Sequence, residues 1–282
     1  MLLCLRGSKA YPMFMTLNLA IAGAAGRMGR ALILAGCSDA RFKVVGGTDR
    51  AGSELIGTDL SLLDRKMPSG YIISDTVEAA CAEADVWIDF TSPSATLAAL
   101  SALKPAQVKA VIIGTTGFDA VQIEAIKTAS DHFAIVMSGN FSLGVNLVAG
   151  LVRQAAARLG PDWDIEILES HHRHKVDAPS GTALMLGHAA ADGRGVDHNQ
   201  VAKLARHGST GARKAGDVGY AVIRAGGIIG DHEVMFASED EIVTIAHKAG
   251  SRTIFAKGAL NAAAWASAKK PGLYTMGDVL DL

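Results

Sequence analysis

From Leu17 to about Phe133 the chain alternates short apolar runs with stretches able to form helices. Leu17–Ala22 reads as a strand, Arg27–Ala35 as the helix after it, and Lys43–Gly46 as a second strand. Tyr71–Ile73, Val86–Phe90 and Val108–Ile113 repeat the theme, each followed by helix-compatible sequence, and Phe133–Met137 is a further apolar run. Ser92-Pro93 marks a helix start, with Ser as N-cap and Pro in the first turn. Apolar runs without polar alternation, separated by helices, predict a parallel, doubly wound sheet.

After Ser138 the pattern changes. Val145, Val148, Leu151, Val152, Ala155 and Leu159 recur at three- and four-residue spacing and predict one amphipathic helix. Four strand-like runs follow: Trp163–Glu169, Val218–Ala225, Glu233–Phe236 and Glu241–Ala246. A polar, Gly-rich stretch, Asp192 to Asp217, lies between them. This is the pattern of an α+β domain with a mixed, largely antiparallel sheet. Its open strands are expected to be covered by another copy of the chain. Thr253 to Leu282 returns to helical sequence, and its pattern alone does not assign it to either part.

Composition narrows the class. At 282 residues the chain suits two domains, and 49% hydrophobic residues supply sizeable cores. A formal net charge of −1 excludes a global attraction to nucleic acid or an acidic membrane, so any anion site must be local. Cys4, Cys37 and Cys81 are odd in number, scattered and without C-x-x-C, which points to reduced thiols in a cytoplasmic setting. In Met1-Leu2-Leu3-Cys4-Leu5 the cations Arg6 and Lys9 follow the apolar run, so it reads as neither signal peptide nor membrane span. Residues 1–16 read as a disordered extension or an unused upstream start before Met15.

The chemistry gathers in two places. Gly23-Ala24-Ala25-Gly26-Arg27-Met28-Gly29 joins the first strand to the first helix as G-x-x-G-x-x-G. Glycines there let the backbone turn and approach a pyrophosphate, and the helix N-terminus favours its charge. After the second strand comes Asp49, placed to accept from an adenosine ribose, and then Arg50, able to pair with a 2′-phosphate or lie over adenine. NADH and NADPH are both expected cofactors. Gly114-Thr115-Thr116-Gly117 and Ser138-Gly139-Asn140-Phe141 each follow a strand, on the side where the nicotinamide and substrate would meet.

The second place is His171-His172-Arg173-His174-Lys175-Val176-Asp177-Ala178-Pro179-Ser180-Gly181-Thr182. Three imidazoles and two permanent cations precede a Ser-Gly-Thr turn suited to open a helix. Such a stretch can hold a carboxylate at the helix N-terminus and deliver a proton near neutral pH. Zinc is the rival use of clustered histidines, but Arg173 and Lys175 would repel it, so no metal is expected.

Together these motifs resemble the dihydrodipicolinate reductase (4-hydroxy-tetrahydrodipicolinate reductase) family of the lysine–diaminopimelate pathway. The matching pieces are the glycine loop, Asp89-Phe90-Thr91, Gly114-Thr115-Thr116-Gly117 and Asn140-Phe141-Ser142-Leu143-Gly144-Val145-Asn146. Glu169 through Ala183, Arg224-Ala225-Gly226, Gly230-Asp231-His232 and Ser251-Arg252 complete the set. The resemblance implies a Rossmann-type domain formed by residues 1–142 and 253–282, and a substrate-binding and tetramerisation domain formed by 143–252. It implies a cytoplasmic homotetramer, a small dicarboxylate substrate, NADH or NADPH, and no metal, nucleic acid or membrane partner. By the same resemblance His171 is the general acid and Lys175 a substrate-binding, catalytic lysine. His172, Ser180, Gly181 and Thr182 hold carboxylates, and Phe90, Thr91 and Arg252 join the cofactor-binding set. Arg252 is also a candidate for domain coupling, while Arg173, His174 and His232 read as structural. The sequence departs from the family at Ser92, where some members carry an arginine, which bears on NADPH. The alternatives are another NAD(P)H-dependent oxidoreductase of a small diacid, or a non-catalytic nucleotide-binding redox sensor.

Overall fold

The structure, a computed structural model, describes residues 16–65, 67, 69–105 and 107–282. The extension read at 1–16, with Cys4, therefore lies outside the described residues except for Thr16. The first part of the chain alternates β1 (Leu17–Ile21), α1 (Arg27–Cys37), β2 (Phe42–Thr48), β3 (Ile73–Ser74), α2 (Val77–Ala80) and β4 (Val86–Asp89). It continues with α3 (Pro93–Ala102), β5 (Ala110–Ile113), α4 (Ala120–Ala129) and β6 (Ala134–Met137). The second part comprises α5 (Leu143–Arg158), β7 (Asp164–His171), α6 (Gly181–Arg194), α7 (His198–Val201), β8 (Ala202–Lys203), β9 (Val218–Arg224), β10 (Asp231–Ala237) and β11 (Ile242–Lys248). The chain ends with α8 (Thr253–Ala266), β12 (Gly272–Tyr274) and α9 (Met276–Leu280).

Seven strands form a parallel sheet in the order β12-β6-β5-β4-β1-β2-β3. β4 and β5 are buried along their whole length because helices cover both faces, which is why their sequences show no alternation. Leu19, Ile21, Ile88 and Val136 pack on one side with residues of α1 and α8. Ala20, Trp87, Val111 and Ile135 pack on the other with residues of α3 and α4. The strand order reverses between β1 and β4, and the crevice for a ligand opens at that switch point.

The second sheet has the order β11-β10-β7-β9-β8. β10 runs antiparallel to both neighbours, whereas β7 and β8 run parallel to β9, so the sheet is mixed as expected. β7 alternates strictly: Ile165, Ile167, Glu169 and His171 are buried, and the residues between them are not. Ile165 and Ile167 share a core with Val152 of α5 and Leu186 of α6.

Two stretches differ from their sequence reading. Asp192–Asp217 is not merely a polar connection: α6 runs on to Arg194, Gly195 (φ +67°) closes it, and α7 and β8 follow. The end of α6 is rich in Ala and Gly, and α7 and β8 are only four and two residues long, so none of them shows a clear periodicity. Within the helical-looking C-terminal segment, Gly272–Tyr274 is a strand that pairs in parallel with β6. Three residues between helices are too few for a periodic signal, and the neighbouring strand decides their conformation. α8 packs against α1, and α9 against α5 and α8. No helix among the described residues is long and apolar enough to cross a membrane.

Candidate active site

The glycine loop is shaped by contact as well as by torsion. Gly23 has φ +62°, where a side chain would be strained. A methyl group at Gly29 would overlap Gly23 O and lie 2.7 Å from Ala24 Cα, so α1 sits directly on the loop. No side chain caps α1. Its first N–H to find a carbonyl is that of Arg30, on Gly26 O at 3.0 Å. The N–H groups of Arg27, Met28 and Gly29 are thereby left for an anion, with the positive end of the helix behind them.

A cleft of about 490 Å³ continues from this loop along the ends of β2 and β4, lined among others by Gly23, Asp49, Arg50, Thr76, Thr91 and Ser92. Asp49 accepts from Arg50 N (2.9 Å) and Ser53 Oγ (2.7 Å), which fixes its carboxylate at the mouth. Asp89, quoted in the motif Asp89-Phe90-Thr91 but given no site role there, also lines the cleft. It is 1% exposed, and its Oδ1 accepts from Thr91 N, Thr91 Oγ1 and Thr115 Oγ1 at 2.9, 2.6 and 3.2 Å. It thus ties the β4 and β5 loops together. Phe90 lies over Gly114, where any side chain would strike its ring, and faces Phe141 with ring centres 5.3 Å apart. Phe141 is 1% exposed and part of the core, so its side chain supports the cleft from behind. Thr116 and Gly139 abut at the ends of β5 and β6, while Gly117 (φ +86°) turns the first of these loops back.

The histidine segment begins on β7 and leaves it at once. His171 is the last residue of the strand and faces inward, two positions after the fully buried Glu169. Glu169 accepts from His171 Nδ1 at 2.6 Å, from both terminal nitrogens of Arg224 at 2.7 and 2.8 Å, and from Ser180 N at 3.0 Å. Burial pushes its carboxyl up, but Arg224, His171 and the Ser180 amide outweigh this and hold it below the ordinary range. Glu169 and Arg224 both fall within the motifs that carry the family resemblance, but nothing in the sequence assigns either of them a role. The only signal is that Glu169 and His171, two apart on a strand, must share a face.

Ser180 caps α6 by accepting from Ala183 N (3.1 Å), and its Oγ lies 2.9 Å from His232 Nε2. At 2% exposure, with its N–H on Glu169, it shapes the helix end from within. Leu184 N bonds Ser180 O, so the amides of Gly181 and Thr182 are the ones left at the N-terminus. Thr182 Oγ1 accepts from Asn140 Nδ2 at 3.0 Å, joining the end of β6 to this helix. His172 Nε2 lies 3.3 Å from Arg252, and its Nδ1 is buried without a partner. Desolvation, then Arg252, His174, His171 and Lys175, push His172 below its ordinary range. Lys175 Nζ holds both carboxylate oxygens of Asp177 at 2.7 Å. Arg173 is tethered through its N–H to Gly226 O. Burial, then His171, with smaller opposing and assisting charges, push His232 down to about 4, so it is neutral. Arg252 stands against His172 and is not among the residues lining the cleft beside the glycine loop. Among the described residues, no group of three or more His, Cys, Asp or Glu converges to hold a metal ion.

Comparison with known proteins gives this geometry a family. The model of "Dihydrodipicolinate reductase, N-terminus" matches residues 17–141, and that of "Dihydrodipicolinate reductase, C-terminus" matches 144–280. The 4-hydroxy-tetrahydrodipicolinate reductase of Parvibaculum lavamentivorans is 52% identical over 270 residues, covering 94% of this chain and 98% of the relative. That of Dinoroseobacter shibae is 48% identical over 266 residues, with the same two coverages. Among solved structures, a dipicolinate-bound dihydrodipicolinate reductase from Paenisporosarcina sp. TG-14 superposes with TM-score 0.73 at 24% identity, over 93% of this chain and 98% of that one. An amine dehydrogenase from Mycobacterium smegmatis shares the fold at TM-score 0.61 and 13% identity, over 93% and 95% of the two chains. Two family models that together span nearly all the described residues, and relatives close to half identical, make this chain a member of the dihydrodipicolinate reductase family.

Proposed function

We propose that the chain reduces 4-hydroxy-tetrahydrodipicolinate, through loss of water, to tetrahydrodipicolinate in lysine and diaminopimelate biosynthesis, with His171 as proton donor. One observation carries this reading. His171, the open N-terminus of α6 and the nucleotide-side residue Asn140 converge, linked through Glu169–Ser180 and Asn140–Thr182. A proton donor, an anion site and the end of a cofactor-binding sheet thus meet at one place.

The α1 N-terminus, with Asp49, Arg50, Thr91 and the loops at Gly114–Gly117 and Ser138–Asn140, fits a nicotinamide dinucleotide, which supplies a hydride when bound. Asp49 suits the ribose hydroxyls of NADH and Arg50 the 2′-phosphate of NADPH, so both are substrates. The chain's own residues do the rest. Gly181 N, Thr182 N and Thr182 Oγ1 receive one carboxylate. The unpartnered Nδ1–H of His172 and the ammonium of Lys175 receive the other. Once the 4-hydroxyl has left as water, a bound dinucleotide would supply hydride to the ring carbon conjugated with the imine, and His171 Nε2–H gives the balancing proton. The exposed apolar residues Ile223, Ile242 and Val243 on β9 and β11 support assembly into a homotetramer through this sheet. Its expected place is the cytoplasm, where scattered thiols stay reduced.

The test generates substrate in situ from pyruvate and aspartate semialdehyde with the upstream synthase, and follows loss of reduced nicotinamide with NADH and NADPH separately. Synthase-dependent oxidation that collapses in His171→Ala is the expected result. A folded protein that binds nucleotide yet oxidises neither cofactor would refute the assignment and return the diacid or sensor alternatives.

A further inference from the structure

A buried carboxylate with four donors is costly to build unless the fold uses its charge. Glu169 is 0% exposed, and its donors come from three separate elements: His171 on β7, Arg224 on β9 and Ser180 at the start of α6. Arg224 reaches further and donates to Asp177 O at 2.7 Å, anchoring the loop that carries Lys175. One carboxylate therefore touches the proton donor, the anion-binding helix end and the brace of the lysine loop.

We infer that Glu169, braced by Arg224, is the positioning residue that fixes the tautomer and charge of His171. The inference rests on the proposed role of His171 as acid. An ionised carboxylate can only accept, so neutral His171 must carry its proton on Nδ1. Nε2 is then the nitrogen that takes up and gives the transferable proton. Gly230 keeps a side chain from crowding that nitrogen: a Cβ there would lie 3.0 Å from His171 Nε2. Other charged and titratable groups around the ring are His232 on β10 (ring centres 5.1 Å apart), and His172 and Lys175 on the loop after β7. His232 is neutral, so the Glu169–Arg224 pair is the fixed charge at hydrogen-bond range. Glu169 holds the imidazolium in place, and Arg224 keeps that carboxylate ionised without cancelling it.

Two variants pull the balance in opposite directions. Glu169→Gln keeps an acceptor for Nδ1 but removes the negative charge. Arg224→Gln keeps the carboxylate but removes its compensating cation. In the coupled assay kcat of Glu169→Gln is expected to fall about a hundredfold, as when the orienting group of a catalytic histidine loses its charge. The alkaline limb of its pH profile is expected to move down by about one pH unit, and that of Arg224→Gln to move up. Affinity for NADH, measured by fluorescence titration, stays at the wild-type value in both and reports that they fold. Ring ¹⁵N NMR of the wild type is expected to show neutral His171 protonated at Nδ1, and that signal to change in Glu169→Gln. Limbs that stay put or move together, or a wild-type His171 protonated at Nε2 when neutral, would overturn the inference. If instead the wild type does not turn over while the NMR signature holds, the reductase reading fails and the positioning role stands.

Discussion

His232 should make the protein acid-sensitive in a way that a single substitution removes. Its ring is buried beside Ser180, and its folded value near 4 lies below the ordinary imidazole value of 6.5. Between those values the unfolded chain binds a proton that the folded one refuses, so this stabilisation is complete above pH 6.5 and fades as pH falls toward 4. Between pH 7 and pH 5 the loss from this group is about 2 kcal/mol, a large share of an ordinary domain's stability. In His232→Gln the amide still reaches Ser180 Oγ and cannot titrate. Urea unfolding at pH 7 and pH 5, at one fixed protein concentration because assembly contributes, reads both proteins. The variant is expected to start less stable yet to lose about 2 kcal/mol less than the wild type over this interval. An equal loss in both proteins would show that His232 is not kept neutral by the fold, and the reasoning fails.

Three further outcomes test other parts of the structure. Gly29→Ala forces α1 away from Gly23 O and Ala24, so the Kd for NADH, read by fluorescence, is expected to rise about tenfold or more; an unchanged Kd would exclude the close approach. Asp177→Asn frees Lys175 from its exposed partner, and KM for the dicarboxylate should fall about two- to fivefold with kcat unchanged, the scale of an exposed ion pair. A rise in KM would show that Asp177 presents the lysine to the substrate. Burial, followed by Glu78, pushes the Cys81 thiol up to about 12, so it should resist a thiol reagent at pH 8 until the protein is unfolded, as labelling mass spectrometry reads.

Much of this molecule was written in the chain. The apolar runs of β1, β4, β5 and β6 could be read because a strand covered on both faces needs no polar alternation. The glycine loop could be read because close contact between α1 and the backbone tolerates no side chain at Gly29. His171, Lys175, Gly181 and Thr182 stood out because cations, imidazoles and a helix start were contiguous in sequence. The structure alone decided the partners that come from afar. Arg224 is 55 positions from Glu169 and Asn140 is 42 from Thr182, and nothing local marks either pair. Only strand register brings Arg224 opposite His171. β12 likewise exists because β6 offers an open edge. Periodicity and turn chemistry are local properties that a sequence displays directly. Which buried charge meets which donor depends on strand order and register, and those are set when the two sheets assemble.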